Sequence, residues 1–200
     1  MKHSQNIQEV MNSSLDYMGF IHYPKSKRYV GENFKIPELI SSNPQIKSVA
    51  VIVNEPLENL LVNEKYKEYD FLQLHGDESP EYCEKVKKSG FKIIKAFGVN
   101  SSFNFETLKN YESTVDYFLF DTKSDQYGGT GTQFSWEVLE NYKLDKPYFL
   151  SGGISIDNIA QIEQINVRPY CIDINSKFEI EPGLKDANLV AKAIDQIKTL

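Results

Sequence analysis

Ser48-Val49-Ala50-Val51-Ile52-Val53-Asn54 is an unbroken apolar run of strand length, without the polar alternation of a sheet that keeps one face in water. A strand apolar at every position is covered on both faces, which points to a parallel sheet enclosed by helices. Working outward, further strand-length segments rich in β-branched and aromatic residues begin near Tyr17, Phe71, Lys92, Tyr117, Tyr148 and Cys171, making seven in all. Between them apolar residues recur at helical spacing: Leu57, Leu60 and Leu61; Cys83 and Val86; Trp136, Leu139 and Tyr142; Ile156, Ile159 and Ile162; Leu189, Val190, Ala193 and Ile197. Ser79 followed by Pro80 reads as an N-cap with a first-turn proline, and Gly90 closes that helix.

Strands and helices alternating at this spacing fit a (β/α)8-type barrel near the low end of that fold's length. Only seven strands are legible. The chain opens instead on a helix-like piece, Ser4 to Ser14, carrying Ile7, Val10 and Met11 on one face. The expected architecture is therefore one domain over residues 1–200, an α/β barrel whose N-terminal strand is missing. The strands at Tyr17–Tyr23 and Cys171–Asn175 should flank the gap, with unpaired edges that invite association.

Composition narrows the class. Of 200 residues, 40% are hydrophobic and 25% charged, values typical of a globular domain and foreign to disorder or collagen. The net charge of −6 argues against a phosphate-backbone footprint, so no nucleic-acid partner is expected and any anion must be caught locally. Val49 to Val53 is far short of a membrane span and Met1-Lys2-His3-Ser4-Gln5 opens no signal peptide, so no membrane and a cytoplasmic setting are expected. Cys83 and Cys171 are too few for a disulfide framework or zinc site.

In parallel α/β folds the chemistry gathers in the loops after the strands. After the sixth strand come Ser151-Gly152-Gly153, and after the seventh Asn175-Ser176. Small residues let backbone N–H groups surround an oxyanion, so this pair fits the phosphate site that barrels place after their last two strands; a plain tight turn is the alternative for the glycines. Asp121 ends the apolar run Tyr117–Phe120, and a carboxyl at such a rim, partly withdrawn from water, suits a general acid; a turn-forming or helix-capping Asp is the alternative. Arg28 can clamp a carboxylate through two hydrogen bonds, although Lys25 to Arg28 also reads as a solvated basic loop.

His75 is expected to be no more than a supporting polar group, and no His–Asp pair is expected across the strand ends, which with only three histidines disfavours a metal-dependent epimerase. No metal is implied. Cys83 lies on the apolar side of its helix, and Cys171 starts its strand about 13 Å from the functional end, so neither is expected to be catalytic.

Together Gln73-Leu-His-Gly76, Phe120-Asp-Thr122, Gly128-Gly-Thr-Gly131 with Phe134-Ser-Trp136, Ser151-Gly-Gly153, Asp173-Ile-Asn-Ser176 and Gly183-Leu-Lys-Asp186 resemble the phosphoribosylanthranilate isomerase family, in order and spacing, from about Asn6 to Leu200. The resemblance implies an Amadori rearrangement in tryptophan biosynthesis, of N-(5-phosphoribosyl)anthranilate to 1-(2-carboxyphenylamino)-1-deoxyribulose 5-phosphate, without cofactor. It matches Asp121 to the general acid, Arg28 to the holder of the anthranilate carboxylate, and Gly152, Gly153, Asn175 and Ser176 to the phosphate site. Gly129 and Gly131 match a substrate-binding loop near the sugar. The family opens with a strand bearing Lys-Ile/Val-Cys-Gly, whose cysteine is the general base; Met1-Lys2-His3 matches the residues just after it. Little activity is therefore expected of residues 1–200. A monomer or weak homodimer is expected, with a small phosphosugar-anthranilate as its partner. The competing readings are a non-catalytic binder of a phosphorylated ligand on the same scaffold, and another phosphosugar barrel such as the pathway's next enzyme. The latter needs a catalytic lysine at a strand end, for which Lys95 is the nearest residue.

Overall fold

The computed structural model describes residues 1–122 and 136–200. Seven parallel strands pair in chain order: β1 (Tyr17–Ile21), β2 (Lys47–Ile52), β3 (Phe71–Leu74), β4 (Ile93–Val99), β5 (Tyr117–Thr122), β6 (Tyr148–Ser151) and β7 (Cys171–Ile172). The sheet curls around a small inner layer of Val49, Phe71, Ile94, Ala96, Leu119 and Phe149. Alternate residues, among them Ala50, Ile52, Leu72, Leu74, Ile93, Phe118 and Phe120, point the other way into the larger core beneath the helices. This two-sided burial is what a wholly apolar strand such as β2 requires.

β1 and β7 are the edges of the curl. Among the strands of the described residues β1 pairs only with β2, Tyr17–Ile21 opposite Lys47–Val51, apart from a single bridge from Ile21 to Tyr29, and β7 pairs only with β6. Both are shorter than the sequence suggests, but they flank the opening as expected. No ladder joins them among the described residues. At the end where the strands begin, side chains lean across instead. The Tyr17 and Tyr170 hydroxyls lie 3.4 Å apart, and the Tyr17 ring meets Phe149 edge-on at 5.0 Å.

α1 (Ser4–Met11) buries Ile7 and Val10, ending before the expected Ser14. α2 (Glu38–Ser41) and α3 (Leu57–Val62) are short. α4 (Pro80–Lys88) starts as its sequence dictates: the Ser79 hydroxyl accepts from the Tyr82 N–H at 3.2 Å, Pro80 follows, and Gly90 takes φ +91° beyond the last turn. α5 (Ala187–Ile197) is capped by the Asp186 carboxylate, which accepts from the Leu189 N–H at 3.0 Å. Two expected α-helices are instead short 3₁₀ helices, Trp136–Asn141 and Ile159–Gln164. Their apolar residues, Trp136/Leu139/Tyr142 and Ile156/Ile159/Ile162, recur every third residue, which is the 3₁₀ repeat and not the mixed three-and-four spacing of an α-helix. A two-stranded antiparallel ribbon, β8 (Glu179–Glu181) with β9 (Leu184–Lys185), was not legible beforehand.

His22, just past β1, is buried with its Nε2 2.7 Å from the Tyr69 hydroxyl, and its Nδ1 has no hydrogen-bond partner among the described residues. Desolvation, aided by the charge of Lys65, lowers its pKa to about 4. The unfolded chain protonates this ring below its ordinary value near 6.5, whereas the folded chain resists until about 4. Stability from this group is thus complete above pH 6.5 and is lost as pH falls toward 4, by at most ~1.4 kcal/mol per pH unit. Melting temperatures measured from pH 8 to pH 4 are expected to fall less steeply across that window in His22→Phe; an unchanged slope would contradict the assignment.

Candidate functional site

Asp121 lies at the C-terminal end of β5, paired in register with Gly98 of β4 and Ser151 of β6. Its side chain is 28% exposed, at the rim as expected. Beside it, at 3.4 Å from Oδ2, is Nε2 of His75, which follows β3. The expectation that no histidine and aspartate face each other across the strand ends is therefore wrong. The curl of the sheet brings the end of β3 toward that of β5, a closeness that sequence separation conceals. The other ring nitrogen of His75, Nδ1, is 3.1 Å from Gln73 Oε1, which orients the ring.

His75 is held by the loop that follows it. Lys95 and Glu78 form an ion pair at 3.0 Å with both side chains 2% exposed. Lys95 Nζ also donates to the carbonyls of Leu74, Gly76 and Ala96, while the Glu78 carboxylate accepts from the N–H groups of Asn54 and Gly76. Gly76 is required there, because a Cβ would come within 2.8 Å of Asn54 N and closer still to its side chain. Lys95 points into the outer core with its neighbour Ile93, away from the inner layer of Ile94 and Ala96, which removes it as a catalytic lysine.

On the other side of Asp121 the strand ends are lined by Gly152 and Gly153, both in left-handed backbone at φ +88° and +66°. Asn158 fixes this loop, its Oδ1 accepting from the Ser155 N–H at 2.8 Å and its Nδ2 donating to the Gly153 carbonyl at 2.9 Å. The 3₁₀ turn after it begins only at Ile159, so the loop's own amides, and not a helix dipole, are what this segment offers an anion. Asn175 and Ser176 follow β7; Asn175 Oδ1 accepts from Lys185 Nζ at 2.6 Å. Gly129 and Gly131 lie outside the described residues.

Arg28 is not a solvated basic residue. Its guanidinium pairs with Glu179 through Nε at 2.8 Å and through Nη2 at 2.5 Å, and the Glu179 side chain is only 3% exposed. Glu179 was missed in the sequence, since nothing local links it to a partner 151 residues away. Asp173 was also passed over. Desolvation raises its carboxyl above the usual range, against a hydrogen bond from the Ser151 hydroxyl at 3.1 Å and the positive charge of Lys185. Burial pushes the Cys83 thiol up to about 12 and drives that of Cys171 upward as well, away from the thiolate form. Among the described residues no cluster of His, Cys, Asp and Glu is arranged for a metal ion.

One cavity of about 1150 Å³ joins these groups, lined by Arg28, His75, Asp121, Gly152, Gly153, Asp173, Asn175, Ser176 and Lys185, and it continues into the opening between β1 and β7. Every sequence-derived site residue that the structure describes is therefore in one place.

A family model described as N-(5'phosphoribosyl)anthranilate (PRA) isomerase matches residues 1–196. The N-(5'-phosphoribosyl)anthranilate isomerase of Parabacteroides distasonis is 42% identical over 200 residues, covering 98% of this chain and 90% of that protein. The crystal structure of phosphoribosyl anthranilate isomerase from Thermotoga maritima superposes with a TM-score of 0.80 at 32% identity, over 100% of this chain and 96% of that one. A crystal structure of such an isomerase in complex with reduced 1-(o-carboxyphenylamino)-1-deoxyribulose 5-phosphate does so with a TM-score of 0.78 at 30% identity, over the same shares.

Proposed function

This chain belongs to the N-(5'-phosphoribosyl)anthranilate isomerase family, and from that premise we propose a division of labour among its residues. The reaction is the Amadori rearrangement of N-(5-phosphoribosyl)anthranilate in tryptophan biosynthesis. A proton delivered to the furanose ring oxygen opens the sugar to a Schiff base, and removal of the C2 proton gives an enamine that tautomerises to the ketose. No atom is gained or lost.

Asp121 is the acid. Nε2 of His75, 3.4 Å from Oδ2, lies beside the carboxyl that is to deliver its proton to the ring oxygen. Arg28 takes the anthranilate carboxylate. The amides around Gly152, Gly153, Asn175 and Ser176 take the phosphate. The observation that carries this reading is that an acid, a guanidinium and a small-residue loop pair all line one cavity. The C2 base is assigned by the resemblance to a thiolate, and Cys83 and Cys171 are both unfit for it, so residues 1–200 hold the acid half of the pair. We read the assembly as a monomer or weak homodimer, the open edges of β1 and β7 favouring association. No described helix is long and apolar enough to cross a membrane, and we read the protein as cytoplasmic.

Gly153→Val tests the phosphate site. A Cβ at Gly153 meets no atom within 4 Å, but φ +66° is a conformation that a β-branched residue resists by ~1–2 kcal/mol, so the loop must rearrange while the core stays intact. Affinity for reduced 1-(o-carboxyphenylamino)-1-deoxyribulose 5-phosphate, measured by calorimetry, is expected to fall about 10-fold, with the melting temperature lowered only slightly. Unchanged affinity would remove the loop from the site.

A further inference from the structure

An arginine has two edges that can each grip a carboxylate, Nε with Nη2 and Nη1 with Nη2. In this protein Glu179 occupies the first edge, with contacts of 3.0 Å and 2.8 Å from Nε and 2.5 Å from Nη2. Glu179 is itself fixed. Its Oε1 accepts from the Gly183 N–H at 3.1 Å and from Lys185 Nζ at 3.1 Å, and Lys185 is tied in turn to the Asn175 carbonyl at 2.9 Å and side chain at 2.6 Å. Glu179 and Lys185 are buried at 3% and 8% side-chain exposure, whereas Arg28 is 25% exposed at the mouth of the cavity. Desolvation pushes the Glu179 carboxyl upward, but the hydrogen bonds and charges of Arg28 and Lys185 outweigh it and hold the group below the ordinary carboxylate range. The buried end is anchored, and among the described residues the Nη1–Nη2 edge is left as the second gripping edge of Arg28.

We propose that Glu179 is a positioning residue that presents the outer edge of Arg28 to the substrate's aromatic carboxylate. The proposal rests on the reading of Arg28 given above. It makes the selectivity for a carboxylate-bearing substrate depend on a residue that never touches it.

The test compares two probes, reduced 1-(o-carboxyphenylamino)-1-deoxyribulose 5-phosphate and its counterpart made from aniline, which lacks the carboxyl. Arg28→Ala is expected to weaken the first by about 10- to 100-fold and to leave the second within twofold. Glu179→Gln, the same shape without the charge, is expected to weaken the first by roughly 5- to 30-fold, also sparing the second. Glu179→Asp, which keeps the charge but withdraws it, should fall between Glu179→Gln and the parent. Adding Glu179→Gln to Arg28→Ala should cost nothing further, since the positioned group is already gone. If Arg28→Ala spares the carboxylated probe, the reading of Arg28 itself fails. If Arg28→Ala is selective but Glu179→Gln and Glu179→Asp bind the carboxylated probe like the parent, weaken both probes alike, or add to the loss from Arg28→Ala, the positioning role is overturned while Arg28 keeps its own.

Discussion

Fusing an extended segment that ends in Cys-Gly ahead of Met1 is expected to raise turnover of N-(5-phosphoribosyl)anthranilate by ~10²- to 10⁴-fold over residues 1–200, the usual worth of one positioned proton-transfer group. The geometry favours that entry point. The Met1 amino nitrogen lies 3.3 Å from the Gly19 carbonyl in the middle of β1, and Met1 lines the cavity that runs between β1 and β7. A segment leading into Met1 therefore enters along β1, into a cavity that Asp121 and the phosphate loops also line. Pairing two free edges should also raise the melting temperature. A Cys-to-Ala version of the fusion is expected to give the stability alone, and Asp121→Asn within the fusion is expected to cancel the gain in turnover with the melting temperature retained. The assay is the loss of substrate fluorescence. Should residues 1–200 turn over as fast as the fusion, the base lies among them, and Asp173 becomes the carboxyl to replace next.

Lys95→Met is expected to destabilise the fold by ~3–5 kcal/mol, because it leaves the Glu78 carboxylate buried without its counter-charge. For a domain of this length that corresponds to a fall in melting temperature of about 10 °C. Lys95→Met combined with Glu78→Gln should recover most of the loss, since the isosteric amide needs no counter-ion and its oxygen can still accept from the Asn54 or Gly76 N–H. A double variant as unstable as the single one would show that the cost lies in the lost hydrogen bonds from Lys95 to the carbonyls of Leu74, Gly76 and Ala96 rather than in the stranded charge. The pair also holds the loop that carries His75, so the single variant should lose ligand affinity along with stability.

The strands were legible because a parallel strand covered on both faces has no polar alternation, and Val49–Ile52 and Tyr117–Phe120 show this without help from the rest of the chain. α4 was legible because its cap, first-turn proline and closing glycine are all local. The 3₁₀ turns were misread where apolar residues three apart satisfy either repeat. The phosphate loops and Asp121 could be placed because function in such folds lies after the strands, so position along the chain becomes position in space. What stayed hidden was set by curvature and by long-range charge. His75 meets Asp121 only because the sheet bends, and Arg28, Glu179 and Lys185 find each other across most of the chain. Asp173 was visible as a residue but not as a desolvated one, because its surroundings come from Ser151, Lys185 and Asp121 on other elements.

The most direct measurement is a crystal structure of the chain with reduced 1-(o-carboxyphenylamino)-1-deoxyribulose 5-phosphate bound. The phosphate should sit between Gly152-Gly153 and Asn175-Ser176, the carboxylate should lie on the outer edge of Arg28 with Glu179 still on the inner one, and Asp121 should reach the sugar. A ligand bound elsewhere, or one bound in this cavity with its carboxylate on another residue and Asp121 facing away, would contradict the account.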